Sequence, residues 1–199
     1  TEYLNDGRLR SRLTGAITEV KVRRRLVDAT YLESQIPATS APPFALADGV
    51  RCVPPGSVTE LDPPREGYVI IGAGKTAMDT CQWLIERGVD PDKIRWIRPR
   101  DMWLLNREHF QGGQFVTAAL EGTVLQLEAA AQSEHVDDFF DRCGESKVFL
   151  RLDPNVRPTA IRGATSHERE MALLRSIEQV IRLGHVKRID TDRIVLEHG

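Results

Sequence analysis

Apolar and polar positions follow two different rhythms along this chain. Over residues 8–32 the short runs Arg8–Thr14, Thr18–Val22 and Arg25–Tyr31 alternate polar with apolar positions around a break at Gly15. That pattern predicts an antiparallel β-meander rather than a parallel core. Residues 35–67 hold seven of the eleven prolines and one short β-type run, Val50–Val53, so they read as a connector that joins or covers domains. From residue 66 the rhythm changes. Tyr68-Val-Ile-Ile71 is a continuous apolar run of the kind a buried strand needs. Ala77, Cys81, Leu84, Ile85 and Gly88 then recur at helical spacing. Gly88 suits a helix C-cap, and Pro91 prevents the helix from resuming. Ile94–Ile97 follows as a second strand, closing a strand–helix–strand unit of about thirty residues.

The rest of the chain carries weaker signals. Trp103–Arg107 predicts a turn or short helix, Phe115–Ala131 a helix, Val136–Cys143 a second short helix, and Val148–Leu152 a buried strand. Thr165-Ser-His-Glu168 has the form of a capping box, opening a helix expected to run to about Leu183 and stop at Gly184. His185–Ile189 and Arg193–Leu196 predict a hairpin with Asp190–Asp192 in the turn.

Between the first strand and its helix stand Gly72-Ala73-Gly74-Lys75-Thr76-Ala77. In a Rossmann-like unit the first glycine permits the sharp turn, the second lets a pyrophosphate approach the backbone, and the third small residue lets helix and strand pack closely. The helix N-terminus adds unpaired N–H groups and a partial positive charge. Gly-Lys-Thr also ends a nucleoside-triphosphate P-loop, but the first glycine of that pattern would stand at Val69, inside the apolar run. An ordinary strand-to-helix turn stays open as the bland alternative. The second strand ends Arg98-Pro99-Arg100, with Arg98 24 residues after Gly74. Guanidinium groups there suit a 2′-phosphate and favour NADP(H), while nearby Asp101 keeps NAD open.

Composition mainly excludes. The 199 residues are 41% hydrophobic and 28% charged with net charge −2, an ordinary globular balance without the basic footprint of a nucleic-acid or anionic-membrane binder. No apolar run approaches the roughly 20 residues of a membrane span. Cys52, Cys81 and Cys143 form no C-x-x-C pair, and the five histidines show no ligand spacing. Neither a disulfide framework nor a metal site is expected, and cytoplasm is the expected location. The chain begins at Thr1, so a removed leader or an upstream domain stays open.

The run from Tyr68 to Asp79, with Arg95-Trp-Ile-Arg-Pro-Arg100, resembles the NADPH-binding domain of flavin-containing-monooxygenase-like FAD/NAD(P)-dependent oxidoreductases. The resemblance implies that Gly72, Ala73, Gly74, Lys75, Thr76 and Ala77 form the pyrophosphate loop, with the Thr76 hydroxyl a phosphate donor. It also implies that Arg98 and Arg100 hold the 2′-phosphate. Val27-Asp-Ala-Thr-Tyr-Leu and Ile36-Pro37 look like the crossover between the FAD and NADPH domains, with Tyr31 where the family usually has glycine. The family's FAD glycine motif is absent. The resemblance therefore implies an interior piece: residues 1–36 a remnant of the FAD-binding domain, 37–65 a Pro-rich crossover linker, and 66–199 the NAD(P)-binding Rossmann domain. The fold class expected is α/β, a Rossmann-like parallel sheet with flanking helices plus a β-meander and a partial FAD-type domain at the N-terminus.

The implied function is delivery of hydride from NADPH to an FAD seated mainly outside this chain, with substrate and catalytic residues unidentified. FAD binding by these residues alone is expected to be poor, and completion by a homo-oligomer or by the missing FAD-domain segment stays open. A non-catalytic NAD(P)H-binding or sensor module is the alternative. A short-chain dehydrogenase is excluded, because Tyr3, Tyr31 and Tyr68 are followed four positions on by Gly7, Gln35 and Gly72 instead of the required lysine.

Overall fold

The computed structural model describes residues 2–4, 7–27, 36–62 and 66–199. They form a mixed α/β protein that divides into two compact units, 1–36 and 37–199. In the first unit, β1 (Glu2–Tyr3), β2 (Arg8–Arg10) and β3 (Ile17–Glu19) make a three-stranded antiparallel meander. Its tight turn is closed by Ser11 N–H donating to Ala16 and Gly15 N–H donating to Ser11. Of the third run expected to be a strand, 25–27 are not in a strand, and 28–31 lie outside the described residues, as does most of the crossover segment.

The second unit begins with β4 (Ala45–Leu46) and a 3-10 turn, Pro55–Glu60. β5 (Tyr68–Ile71) leads through the glycine turn into α1 (Lys75–Glu86), and β6 (Ile94–Ile97) follows. Next come β7 (Met102–Asn106), α2 (Val116–Gln132), α3 (Val136–Glu145), β8 (Phe149–Leu150) and β9 (Ala160–Ser166). α4 (Glu168–Leu174), β10 (Val180–Ile181), β11 (Val186–Ile189) and β12 (Ile194–Leu196) complete the chain. The strands make three further three-stranded sheets rather than one continuous parallel sheet. β10-β6-β5 is parallel throughout; β8-β7-β9 and β12-β11-β4 each pair one strand parallel and one antiparallel.

Local signals explain the elements nearest the glycine turn. α1 ends in a C-terminal cap built on Gly88, at φ 88°, whose N–H donates to Ile85 while Val89 N–H donates to Leu84. Asp90 caps the following 3-10 turn by accepting from Asp92 N–H, and Pro91 opens it. Gly67 sits at φ 111°, and a Cβ there would lie 2.1 Å from the Lys93 carbonyl oxygen, so the close approach of β5 to the start of β6 requires glycine.

Four sequence expectations are corrected. Trp103–Arg107 is mostly strand, because β7 is buried on both faces. Met102 and Leu104 enter a core shared with Met78, Cys81, Leu84, Ile94, Trp96 and Met171, whereas Trp103 enters a second core with Cys143, Val148 and Phe149. An apolar run buried on both faces has no period to read. Val50–Val53 forms no strand; Ala45–Leu46 does instead, because β11 offers its free edge there. Thr165 belongs to β9, and the box forms two residues later, with Glu170 accepting from His167 N–H at 3.3 Å. α4 stops at Leu174 rather than near Leu183, since Val180 and Ile181 are drawn into pairing with Trp96 and Ile97.

α2 buries Gly122 and Ala129 but leaves Val116, Leu120, Val124 and Leu127 exposed along its opposite side. The two faces predict opposite mutational outcomes. Leu104→Ala, in the sealed core, is expected to cost about 2–5 kcal/mol. Leu120→Ala, on the outward face, is expected to cost less than about 0.5 kcal/mol. Urea unfolding midpoints at constant m-value measure both.

Candidate functional site

The three parallel strands end level. Ile71 pairs with Ile97, and Ile97 with Ile181, so Gly72, Arg98 and Arg182 are the next residues along one C-terminal edge. Gly72 N–H donates to the Ile97 carbonyl and Arg98 N–H to the Ile181 carbonyl, both at 2.9 Å, which carries the pairing one step beyond the strands. Ligands of open parallel sheets bind at such an edge.

At Gly72 the backbone turns at φ 120°, a conformation L side chains rarely adopt. Its carbonyl accepts from the indole Nε1 of fully buried Trp96 at 2.8 Å. Gly74, the N-cap of α1, has extended torsions and no side-chain cap; a Cβ there would meet nothing within 4 Å. Gly74 and Thr76 are exposed, and Ala73 is half-buried. Ala77 is buried beneath the turn, where its methyl lies 4.0 Å from where a Gly72 Cβ would stand. The amides of Lys75 and Thr76 precede the first full helical hydrogen bond and have no intrahelical acceptor. No acidic residue occupies the first turn of α1. The edge therefore offers an anion open space, two amides, a hydroxyl and the positive end of a helix.

Lys75 is placed differently from its neighbours. Its ammonium group is paired with Asp79 and lies 3.6 Å from Glu170 Oε2. Glu170 joins four elements: it accepts from Ser166 Oγ at 2.6 Å, from His167 N–H, and from Arg107 Nη1 at 3.0 Å. Burial by itself would raise the Glu170 carboxyl pKa. The Ser166 bond, Lys75, the His167 amide and Arg107 together outweigh it and hold the group below its ordinary value.

The two arginines expected to act together are separated. Arg98 is only 3% exposed; its guanidinium lies over the Trp96 ring at 4.8 Å and 3.0 Å from Asp101 Oδ1. The pair is close but misaligned, leaving Arg98 Nε and Asp101 Oδ1 without a hydrogen bond among the described residues. Burial lowers the Arg98 pKa, against the pull of Asp101. Arg100 is exposed and has no hydrogen bond or ion pair among the described residues.

Arg182 was not singled out by sequence. Its Nε donates to Asp101 Oδ2 at 2.9 Å and its Nη2 to Asp153 Oδ2 at 2.8 Å. The only available signal was its place directly after the short apolar pair Val180-Ile181. Cys81, in the core below this edge, has its thiol pushed up to about 12 by burial, so it offers no nucleophile. Among the described residues no cluster of His, Cys, Asp and Glu could hold a metal ion, and no helix is long and apolar enough to cross a membrane. His135 serves as a helix cap, accepting from Asp138 N–H.

No family model matches the chain, and no solved structure matches it. Over 200 aligned residues it is 45% identical to an uncharacterized protein of Mycobacterium bovis and to uncharacterized proteins from two strains of Mycobacterium tuberculosis. Each match takes in all of this chain and 37% of the relative, so the chain spans little more than a third of their length.

The Glu170 environment carries a pH dependence. Its folded pKa lies below the unfolded value, so its contribution is fully present above the unfolded pKa and is lost as pH falls through the folded one. Glu170→Gln is expected to be less stable than the wild type at about pH 7 and to close that gap as the pH falls below the ordinary carboxylate range. Unfolding midpoints across that range test it; a gap of constant size would show that Glu170 acts by shape rather than charge.

Proposed function

We propose that the Gly72–Ala77 turn holds the pyrophosphate of a dinucleotide, NADP(H) in preference to NAD(H), in a Rossmann-like arrangement of β5, α1, β6 and β10. The observation that carries this reading is the level end of three parallel strands with an open glycine turn feeding a helix free of acid in its first turn. The open space beside Gly74 accommodates a phosphate close to the backbone. Lys75 is engaged with Asp79 and Glu170, so the Lys75 and Thr76 amides and the Thr76 hydroxyl carry the anion contacts.

Cofactor choice follows from Asp101. An acidic side chain at the end of the second strand takes the ribose hydroxyls of NAD. Asp101 is buried beneath two guanidinium groups and is closed to such a contact, while exposed Arg100 is available to a 2′-phosphate. Arg98 then acts from below, as part of the floor rather than as a direct phosphate ligand.

In keeping with the resemblance to flavin-containing-monooxygenase-like oxidoreductases, the bound NADPH would supply hydride to an FAD seated mainly outside these residues. On the same reading, residues 1–36 belong to the FAD-binding side. The mycobacterial relatives are longer, with the match taking in 37% of each, which leaves length for such a domain. The residues described here would bind and orient NADPH; none is assigned a catalytic acid or base.

Calorimetric titration tests the reading. NADPH is expected to bind more tightly than NADH. Arg100→Ala is expected to lower NADPH affinity about tenfold with little change for NADH, the worth of one exposed charge–phosphate contact. Gly74→Val, at a cap position with extended torsions and open surroundings, is expected to fold with a loss of only about 1 kcal/mol yet bind neither dinucleotide. Normal binding by Gly74→Val would place the ligand elsewhere. Stoichiometric NADPH binding without turnover on added FAD would favour a non-catalytic binding module.

A further inference from the structure

Arg182 occupies the same row as Gly72 and Arg98, one position beyond the level strand ends, yet reaches back across the edge. Its guanidinium bridges Asp101, 2% exposed at the side chain, and Asp153, while remaining 30% exposed itself. Arg182 is thus the polar cover over a carboxylate in the connection between β6 and β7. Burial alone would lower its pKa, and the bonds to Asp101 and Asp153 more than offset that, keeping the cover charged.

We propose that Arg182 is a specificity-determining residue acting through Asp101: by covering and neutralising that carboxylate, it makes the strand-end site accept a 2′-phosphate rather than a bare ribose hydroxyl. The inference rests on the dinucleotide reading above. Around this edge the guanidinium groups of Arg98 and Arg182 pair with the carboxylates of Asp101 and Asp153, and exposed Arg100, outside those pairs, leaves one net positive charge. Removing Arg182 cancels that excess and frees Asp101 Oδ2. A free carboxylate there would accept from ribose hydroxyls and repel a phosphate, the selectivity of an NAD site. Removing the Asp101 charge does the reverse, leaving the charges of Arg98 and Arg182 less compensated beside the phosphate. The two substitutions therefore have opposite signs.

The test is calorimetric affinity for NADPH and for NADH with the wild type, Arg182→Gln, Arg182→Lys and Asp101→Asn, each checked by thermal melt. The expected result is an NADPH/NADH affinity ratio lowered about tenfold in Arg182→Gln, as for loss of one charge in partly screened surroundings. Arg182→Lys should retain most of the wild-type ratio, and Asp101→Asn should raise it. A purely structural role would weaken both dinucleotides together and leave the ratio unchanged; that outcome overturns the proposal. So does a ratio that falls in Asp101→Asn. If Arg182→Gln does not melt cooperatively, the Lys and Asn arms decide alone. A wild type that binds neither dinucleotide overturns the dinucleotide reading and this inference with it. A wild type that binds NADPH while its variants show no change of ratio overturns this inference only.

Discussion

The buried indole of Trp96 ties the strand-end edge together. Trp96 lies wholly inside the larger core, where an unpartnered indole N–H would cost about 1–3 kcal/mol. Its partner is the carbonyl of Gly72, so the same bond that satisfies the tryptophan fixes the orientation of the glycine turn. The ring face then carries the Arg98 guanidinium, and the backbone of the same strand pairs with both β5 and β10. The Trp96 side chain therefore orients the turn and carries the first arginine, while the backbone of its strand levels the three strand ends.

Beyond that indole, the edge is held by charge. Arg98, Asp101, Arg182 and Asp153 link the end of β6, the entry to β7, the loop after β8 and the end of β10. A buried ion pair with imperfect alignment contributes little net stability, because desolvation offsets much of the Coulomb attraction. Its more secure consequence is positional: losing one partner would leave the other charged and buried, a cost of about 3–5 kcal/mol, so the arrangement resists being opened. Glu170 plays a comparable part, drawing Lys75, Arg107, Ser166 and the start of α4 to one carboxylate. The glycine turn is thus linked to one polar cluster through Lys75 and to the other through Trp96, while the first turn of its helix holds no acidic residue.

Legibility in the sequence followed locality. The turn, α1 and the capped descent into β6 rest on glycine, proline and helical spacing within about thirty residues, and they stand where that spacing puts them. The closing hairpin was similarly readable from two apolar runs around Asp190–Asp192. β7 was not, because Met102-Trp103-Leu104 supplies both cores and so alternates between two apolar surroundings. The early end of α4 was hidden for a related reason: helical spacing in 165–183 competes with distant edge pairing that a single chain segment does not display.

What the sequence by itself determined is the local chemistry of the turn: two glycines flanking one alanine after an apolar run, and a helix start without acid. Those properties depend on residues adjacent in the chain, whereas the open space beside Gly74 depends on the fold. Only the tertiary structure decided what the neighbouring charges do. Arg98 and Arg100 are two positions apart, yet one is sealed over Trp96 and the other is exposed. Arg182, more than eighty residues away, is what covers Asp101. Sequence spacing places a charge on a strand end, but burial and the partner brought by another strand determine whether that charge is available to a ligand.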